Sequence, residues 1–165
     1  MKATFNNNSQ KGFTLIEIVL VIILTSLLIS VVILKTNPAE NKKRARDNVR
    51  LTNLAVLERL VNDYLLDYGD YPGDINVVRT STIFPYEGTI TLNNIARGWM
   101  GVDLSAYGEK LPTDPLNNEE FFYTYTHNIS GYEIDAKLEF YTEKMQQDGG
   151  DNNNKYEVGN NLTLL

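Results

Sequence analysis

Glu17 is the one carboxylate in residues 13–34, a run of 22 residues of which 17 are apolar. An acid there costs up to a few kcal/mol in lipid, and its chemistry is that of a fixed negative charge in need of a cation. A second set of oxygen donors lies in Gln146-Gln147-Asp148-Gly149-Gly150-Asp151-Asn152-Asn153-Asn154. Calcium takes about six to eight oxygen ligands, so Asp148 and Asp151 are candidate ligands in a loop whose spacing is not that of an EF-hand. A third set is basic: Lys35, Lys42, Lys43, Arg44, Arg46 and Arg50 stand against only Glu40 and Asp47, a collar able to attract phosphate or lipid head groups. Beyond it, residues 51–165 carry seven basic and eighteen acidic side chains, a balance of −11 that repels nucleic acid. The chain has no cysteine and a single histidine, His127. Disulfides, thiolate zinc sites, cysteine nucleophiles and Ser-His-Asp triads are thereby excluded or disfavoured, and the dispersed Asp and Glu residues form no nucleophile and base constellation. No enzyme is expected.

The elements that must position these groups follow from pattern. With 165 residues the chain can make one domain and an appendage. Residues 13–34 give a helix of roughly 33 Å, enough to span a hydrocarbon core of about 30 Å and too long for a signal-peptide h-region. Pro38 should break or kink the helix. After it, Leu54, Leu57, Val61, Tyr64 and Tyr68 fall on one stripe of an amphipathic helix, with Arg50, Asn53, Glu58, Asn62 and Asp63 on other faces. The stop is Gly69-Asp70-Tyr71-Pro72-Gly73. A short helix or paired turns are expected around residues 92–97, and Trp99 and Met100 are expected to pack under a loop. The two prolines flanking Asp114 in Pro112-Thr113-Asp114-Pro115 force a turn. Residues 121–126 and 132–140 read as strands, the second alternating so that Tyr132, Ile134, Ala136, Leu138 and Phe140 are buried and Glu133, Asp135, Lys137 and Glu139 are wet. His127 falls in the intervening turn as a solvated residue, and residues 155–159 offer a third strand.

Lys11-Gly12-Phe13-Thr14-Leu15-Ile16-Glu17-Ile18-Val19 resembles the processing signal of type IV prepilins and of the pseudopilins of type II secretion: a charged leader ending in glycine, an aromatic residue, and a glutamate four residues later, opening a long apolar helix. The Gly-x-Tyr-Pro stop and the Pro-x-Asp-Pro turn are also similar to those of pseudopilins, and the absence of cysteine fits major pseudopilins or minimal pilins. The resemblance implies an α+β fold, a long N-terminal helix with a transmembrane half and an amphipathic half, packed on a small antiparallel sheet. It divides the chain into a leader (1–12), a transmembrane and polymerisation helix (13–34), a stalk helix (35–68) and a small body (69–165). It further implies cleavage between Gly12 and Phe13 by an aspartyl prepilin peptidase that also N-methylates Phe13. Glycine suits the cut, since a residue without a side chain lets the backbone extend into a protease. Glu17 would meet the N-terminal amine of a neighbouring subunit. Calcium in the Asp148 and Asp151 loop, identical or related subunits, an assembly ATPase and a membrane platform are implied partners, with the large domain outside the cytoplasm in a surface or periplasmic filament. The alternative role is DNA capture for uptake through the basic collar.

Overall fold

The computed structural model describes residues 12–82, 98–108 and 111–165; the leader before Gly12 and the turn expected at 92–97 lie outside the described residues. The chain divides into two compact units, Met1–Asn41 and Lys42–Leu165. In the first, helix α1 (Leu15–Thr36) opens on a capping box. The Thr14 hydroxyl accepts the Glu17 N–H (3.3 Å) and a Glu17 carboxylate oxygen accepts the Thr14 N–H (3.4 Å). Both terminal donors are thereby satisfied by side chains of the same turn. The polar side chains inside the helix are also satisfied internally: Thr25 donates to the Val21 carbonyl, Ser26 to that of Ile23 and Ser30 to that of Ser26. Residues Leu15–Ile33 have a mean hydropathy of 3.0 and none of them is buried. A helix apolar on every side with no protein over it fits a lipid environment.

The break falls at Asn37, in the left-handed region at φ 36°, immediately before Pro38 opens helix α2 (Pro38–Tyr68). Proline disfavours a right-handed helical residue before it and is tolerated as the first residue of a helix, so one dipeptide ends α1 and starts α2. The Asn37 carbonyl accepts the Glu40 N–H at 3.0 Å.

In the second unit α2 runs on to Tyr68, and Gly69 at φ 73° terminates it. Four antiparallel strands follow among the described residues, β1 (Arg79–Thr80), β2 (Tyr123–Asn128), β3 (Gly131–Ala136) and β4 (Tyr156–Gly159), side by side in that order. A short 3₁₀ helix, Thr142–Gln146, separates β3 from β4. Tyr123, Tyr125, Tyr132, Ile134 and Ala136 on one sheet face join Leu54, Leu57 and Val61 of α2 and Trp99, Met100 and Leu104 in a single core. The expected stripe is therefore buried as far as Tyr64, which is partly covered, whereas Tyr68 is 67% exposed and only stacks on Tyr64. Trp99 and Met100 are core residues, and the Trp99 indole N–H donates to the Pro112 carbonyl.

Two expectations are corrected here. Arg50 does not lie on a wet face; it is fully buried. Its guanidinium donates to both oxygens of Asp114 (2.6 and 3.1 Å), to Asp47 (2.7 Å) and to Glu139 (2.7 Å), beneath the Phe121 ring at 4.6 Å. Nor does β3 run on to Phe140. One oxygen of Asp47 accepts the N–H groups of Glu139 (3.0 Å), Phe140 (2.7 Å) and Tyr141 (3.0 Å), and three successive amides converging on one carboxylate are incompatible with extended chain. The strand is curled off the sheet onto α2. Burial opposes the Arg50 charge, but the hydrogen bonds to Asp114, Asp47 and Glu139 outweigh it and hold its pKa above the ordinary value.

Removing one partner of a buried, hydrogen-bonded ion pair typically costs about 3–5 kcal/mol, whereas exposed pairs contribute about 0–1 kcal/mol. Asp114→Ala is expected to lose stability in the first range and Arg59→Ala, which breaks the exposed Arg59–Asp63 pair, in the second. Urea unfolding followed by fluorescence of Trp99, the sole tryptophan, measures both.

Candidate functional site

The second sheet face should be wet by its alternation, and this too is corrected. Glu133 and Asp135 of β3 and Glu157 of β4 are all buried, because the loop before β4 and the segment after it fold across them. The register makes the cluster unavoidable: Asp135 lies opposite Glu157, and Glu133 lies one pleat along, opposite Gly159. Like charges directly opposite each other on paired strands destabilise a sheet unless something neutralises them.

The loop is built to seal this layer. Asp148 accepts the N–H groups of Gly150 (3.1 Å) and Glu157 (2.9 Å), tying the loop to β4, while the Asn152 N–H donates to Glu157 (3.2 Å). Gly150 passes so close that a Cβ there would lie 1.3 Å from a Glu157 oxygen, so no other residue fits without displacing the carboxylate. Glu133, Asp151 and Glu157 each present a carboxylate oxygen, all within 4.8 Å of one another. One oxygen each of Glu133, Asp135 and Glu157 is buried with no hydrogen-bond partner. Burial and the neighbouring Glu133 and Glu157 charges push the Asp135 carboxyl up to about 8, and burial with Glu133, Asp148 and Asp151 nearby pushes Glu157 up to about 7. Lys155, over the Phe122 ring, is the nearby cation that partly offsets Asp135.

Of the two candidate ligands, the structure brings Asp151 into the cluster and gives Asp148 the work of holding the loop. Glu133 and Glu157 escape the sequence reading. The signal that could have found them is the spacing of acids at alternate positions in two strands destined to pair, but the register needed to use it is a property of the fold. His127 is not a solvated turn residue. It is buried in β2, between the Tyr71 and Tyr125 rings, with Nε2 3.3 Å from the Gly73 carbonyl oxygen. The turn is displaced to Ile129 and Ser130 because Asn128 accepts the Ser130 and Gly131 N–H groups and carries β2 two residues further. In the basic collar, Arg46 and Arg50 are bound to Glu139 and the buried acids, while Lys42, Lys43 and Arg44 are exposed. Arg46 and then Arg50 hold the Glu139 carboxyl down at about 2 against the effect of burial.

Two comparisons bear on the chain. A family described as the prokaryotic N-terminal methylation motif matches residues 7–33, covering Gly12, Phe13, Glu17 and most of α1. The type II secretion system core protein G of Escherichia coli (strain K12) is 30% identical over 119 residues, spanning 72% of this chain and 73% of that protein. The chain belongs to the pilin and pseudopilin family. No solved structure matches it significantly. Pseudopilins are structural subunits, not enzymes, and the α+β architecture of an apolar N-terminal helix, a second helix and a small antiparallel sheet is pilin-like. The apolar α1 and this relationship fit a membrane-anchored subunit.

The body carries titrating groups of opposite sign. Asp135 and Glu157 keep protons in the folded state up to about pH 8 and 7 but release them near pH 4 when unfolded, so without cations stability falls as pH rises from about 4 to 8. Glu139 acts in reverse: its contribution is complete above about pH 4.5 and is lost as pH falls toward 2. In chelator, the thermal midpoint read through Trp99 is expected to peak near pH 4–5 and to decline on both sides.

Proposed function

We propose that this chain is a prepilin processed between Gly12 and Phe13, N-methylated at Phe13 by the same peptidase, and polymerised through α1 into a pseudopilus of a type II secretion-like machine. Identical or related subunits, an assembly ATPase and a membrane platform are its partners, and the large domain lies outside the cytoplasm. The observation that carries this reading is α1 itself, apolar on every side, unburied along Leu15–Ile33, and opening within the methylation motif. Such a helix is stable in lipid or against copies of itself, and storage in the membrane followed by stacking uses both environments. The similarity to a type II secretion core protein extends over 119 residues, well past the motif, and favours a secretion pseudopilus.

Glu17 has two roles available. Within one chain it completes the capping box with Thr14; between chains its charge would pair with the methylated amine of a neighbour's Phe13. Glutamine can serve in a capping box as glutamate does. Glu17→Gln therefore keeps the helix start and removes the charge, and it is expected to assemble at least tenfold less filament than the native chain. Native assembly of Glu17→Gln would assign Glu17 to the cap alone. Mass spectrometry of sheared filaments and of the envelope fraction reads the rest: N-methyl-Phe13 at the amino terminus is expected, and an intact leader in assembled material would overturn the processing scheme.

The acidic layer is proposed to hold calcium, with Glu133, Glu157 and Asp151 as ligands and Asp148 fixing the loop. The fit rests on the donor set, hard oxygens only, and on Glu133 and Glu157 each holding one buried oxygen without a hydrogen-bond partner. Calcium would supply the positive charge that the opposed carboxylates lack. At a calcium concentration 100 times its Kd the body is expected to gain about 2.7 kcal/mol. A thermal midpoint insensitive to chelator and calcium at pH 7.5 would remove the proposal.

A further inference from the structure

Glu133 divides its two oxygens between different tasks. One accepts the backbone N–H groups of Leu164 and Leu165, the second at 3.1 Å; the other is buried and unpartnered, and the carboxylate as a whole belongs to the group with Asp151 and Glu157. The segment that supplies those amides doubles back over the β2–β3 hairpin. Gly159, at φ 147°, makes the reversal, with so little room that a Cβ would lie 2.2 Å from the Tyr132 carbonyl oxygen. Asn160 then accepts the Tyr132 N–H (2.8 Å) and donates to the Tyr71 hydroxyl (2.8 Å), and the Tyr132 carbonyl accepts the Asn160 and Asn161 N–H groups. Gly131 is matched to this path, since a Cβ there would meet the Asn160 side-chain oxygen at 2.4 Å.

A carboxylate with one oxygen held by two backbone donors cannot turn about its last bond without breaking both. The direction of its free oxygen is therefore set by residues 160–165. We infer that the Leu164 and Leu165 N–H groups are positioning groups for Glu133 as a calcium ligand, so that residues 160–165 and the bound cation are reciprocally coupled, each seating the other. This rests on the calcium reading above. Hydrogen bonds to a ligating carboxylate typically change metal affinity by about 10–100-fold, and the same factor must act in reverse on the segment. The Leu164 and Leu165 N–H groups favour the ionised form of Glu133 against burial, which is the form a cation needs, so seating of the segment and binding of the cation work in the same direction.

The test uses the full chain in detergent and calcium chloride as the titrant in calorimetry. Leu164→Pro removes one donor and deletion of Leu164 and Leu165 removes both, while Thr163→Ala alters an exposed neighbour as a control. Calcium Kd is expected to rise at least tenfold in Leu164→Pro and further in the deletion, with Thr163→Ala unchanged, each Kd being read at a temperature well below that variant's own thermal midpoint in chelator. Conversely, calcium is expected to slow hydrogen exchange at the Leu164 and Leu165 amides of the native chain at least tenfold. Native calcium affinity in both donor variants, or exchange at these amides indifferent to calcium, overturns the coupling and leaves the calcium site standing. Absence of calcium binding to the native chain overturns both. Glu133→Gln separates the ligand from its positioning groups, since it keeps an oxygen for the two amides but must lose calcium affinity.

Discussion

A single buried guanidinium fixes the relation of the helix to the rest of the body. Arg50 leaves α2 and satisfies its donors on Asp47 of the same helix, Asp114 of the proline-flanked turn and Glu139 just beyond β3. Three segments distant in sequence are thus gathered at one planar, always-charged group, whose fork geometry allows little variation in their placement. The apolar stripe of Leu54, Leu57 and Val61 would bury equally well against many sheets, because hydrophobic attraction is non-directional. The guanidinium and its acids supply the direction. Asp47 extends the arrangement by collecting the amides of residues 139–141, which ends β3 and sends the chain toward the acidic layer.

That layer explains why the two faces of the sheet differ so sharply. Against α2 the sheet presents tyrosines and aliphatics; on the opposite side it presents Glu133, Asp135 and Glu157 under a sealed cover. Burying like charges in register opposes folding of the body by itself. The cost is local, however, confined to the paired acids of β3 and β4 and the segments that cover them. In a chain without cysteine, the loop is closed by hydrogen bonds alone, Asp148 tying it to Gly150 and to the Glu157 amide of β4.

Much of this was legible in the sequence. Length and composition revealed α1, proline placed the break, and the three-four spacing found the buried stripe as far as Tyr64, because each depends on neighbours near in sequence. The failures share one cause. Arg50 reads as solvated when helical period alone is considered, and Glu133 and Asp135 read as wet when strand alternation alone is considered. What reverses both is the arrival of remote segments, residues 112–115 and 139–141 for the first and residues 148–165 for the second. His127 failed for a smaller reason: the side chain of Asn128 carries the turn two residues further along. The acidic cluster was half visible for the same reason, since Asp151 lies in an obviously oxygen-rich loop whereas Glu133 and Glu157 become neighbours only through strand pairing.

The hydroxyls of Thr25, Ser26 and Ser30 spend their hydrogen bonds on carbonyls of α1 itself. Between Glu17 and the end of the apolar run, no side-chain donor among them is left to demand a fixed counterpart on another helix. Any neighbour of this helix, lipid or protein, meets an apolar surface on which shape and dispersion contact, not hydrogen bonding, decide the fit.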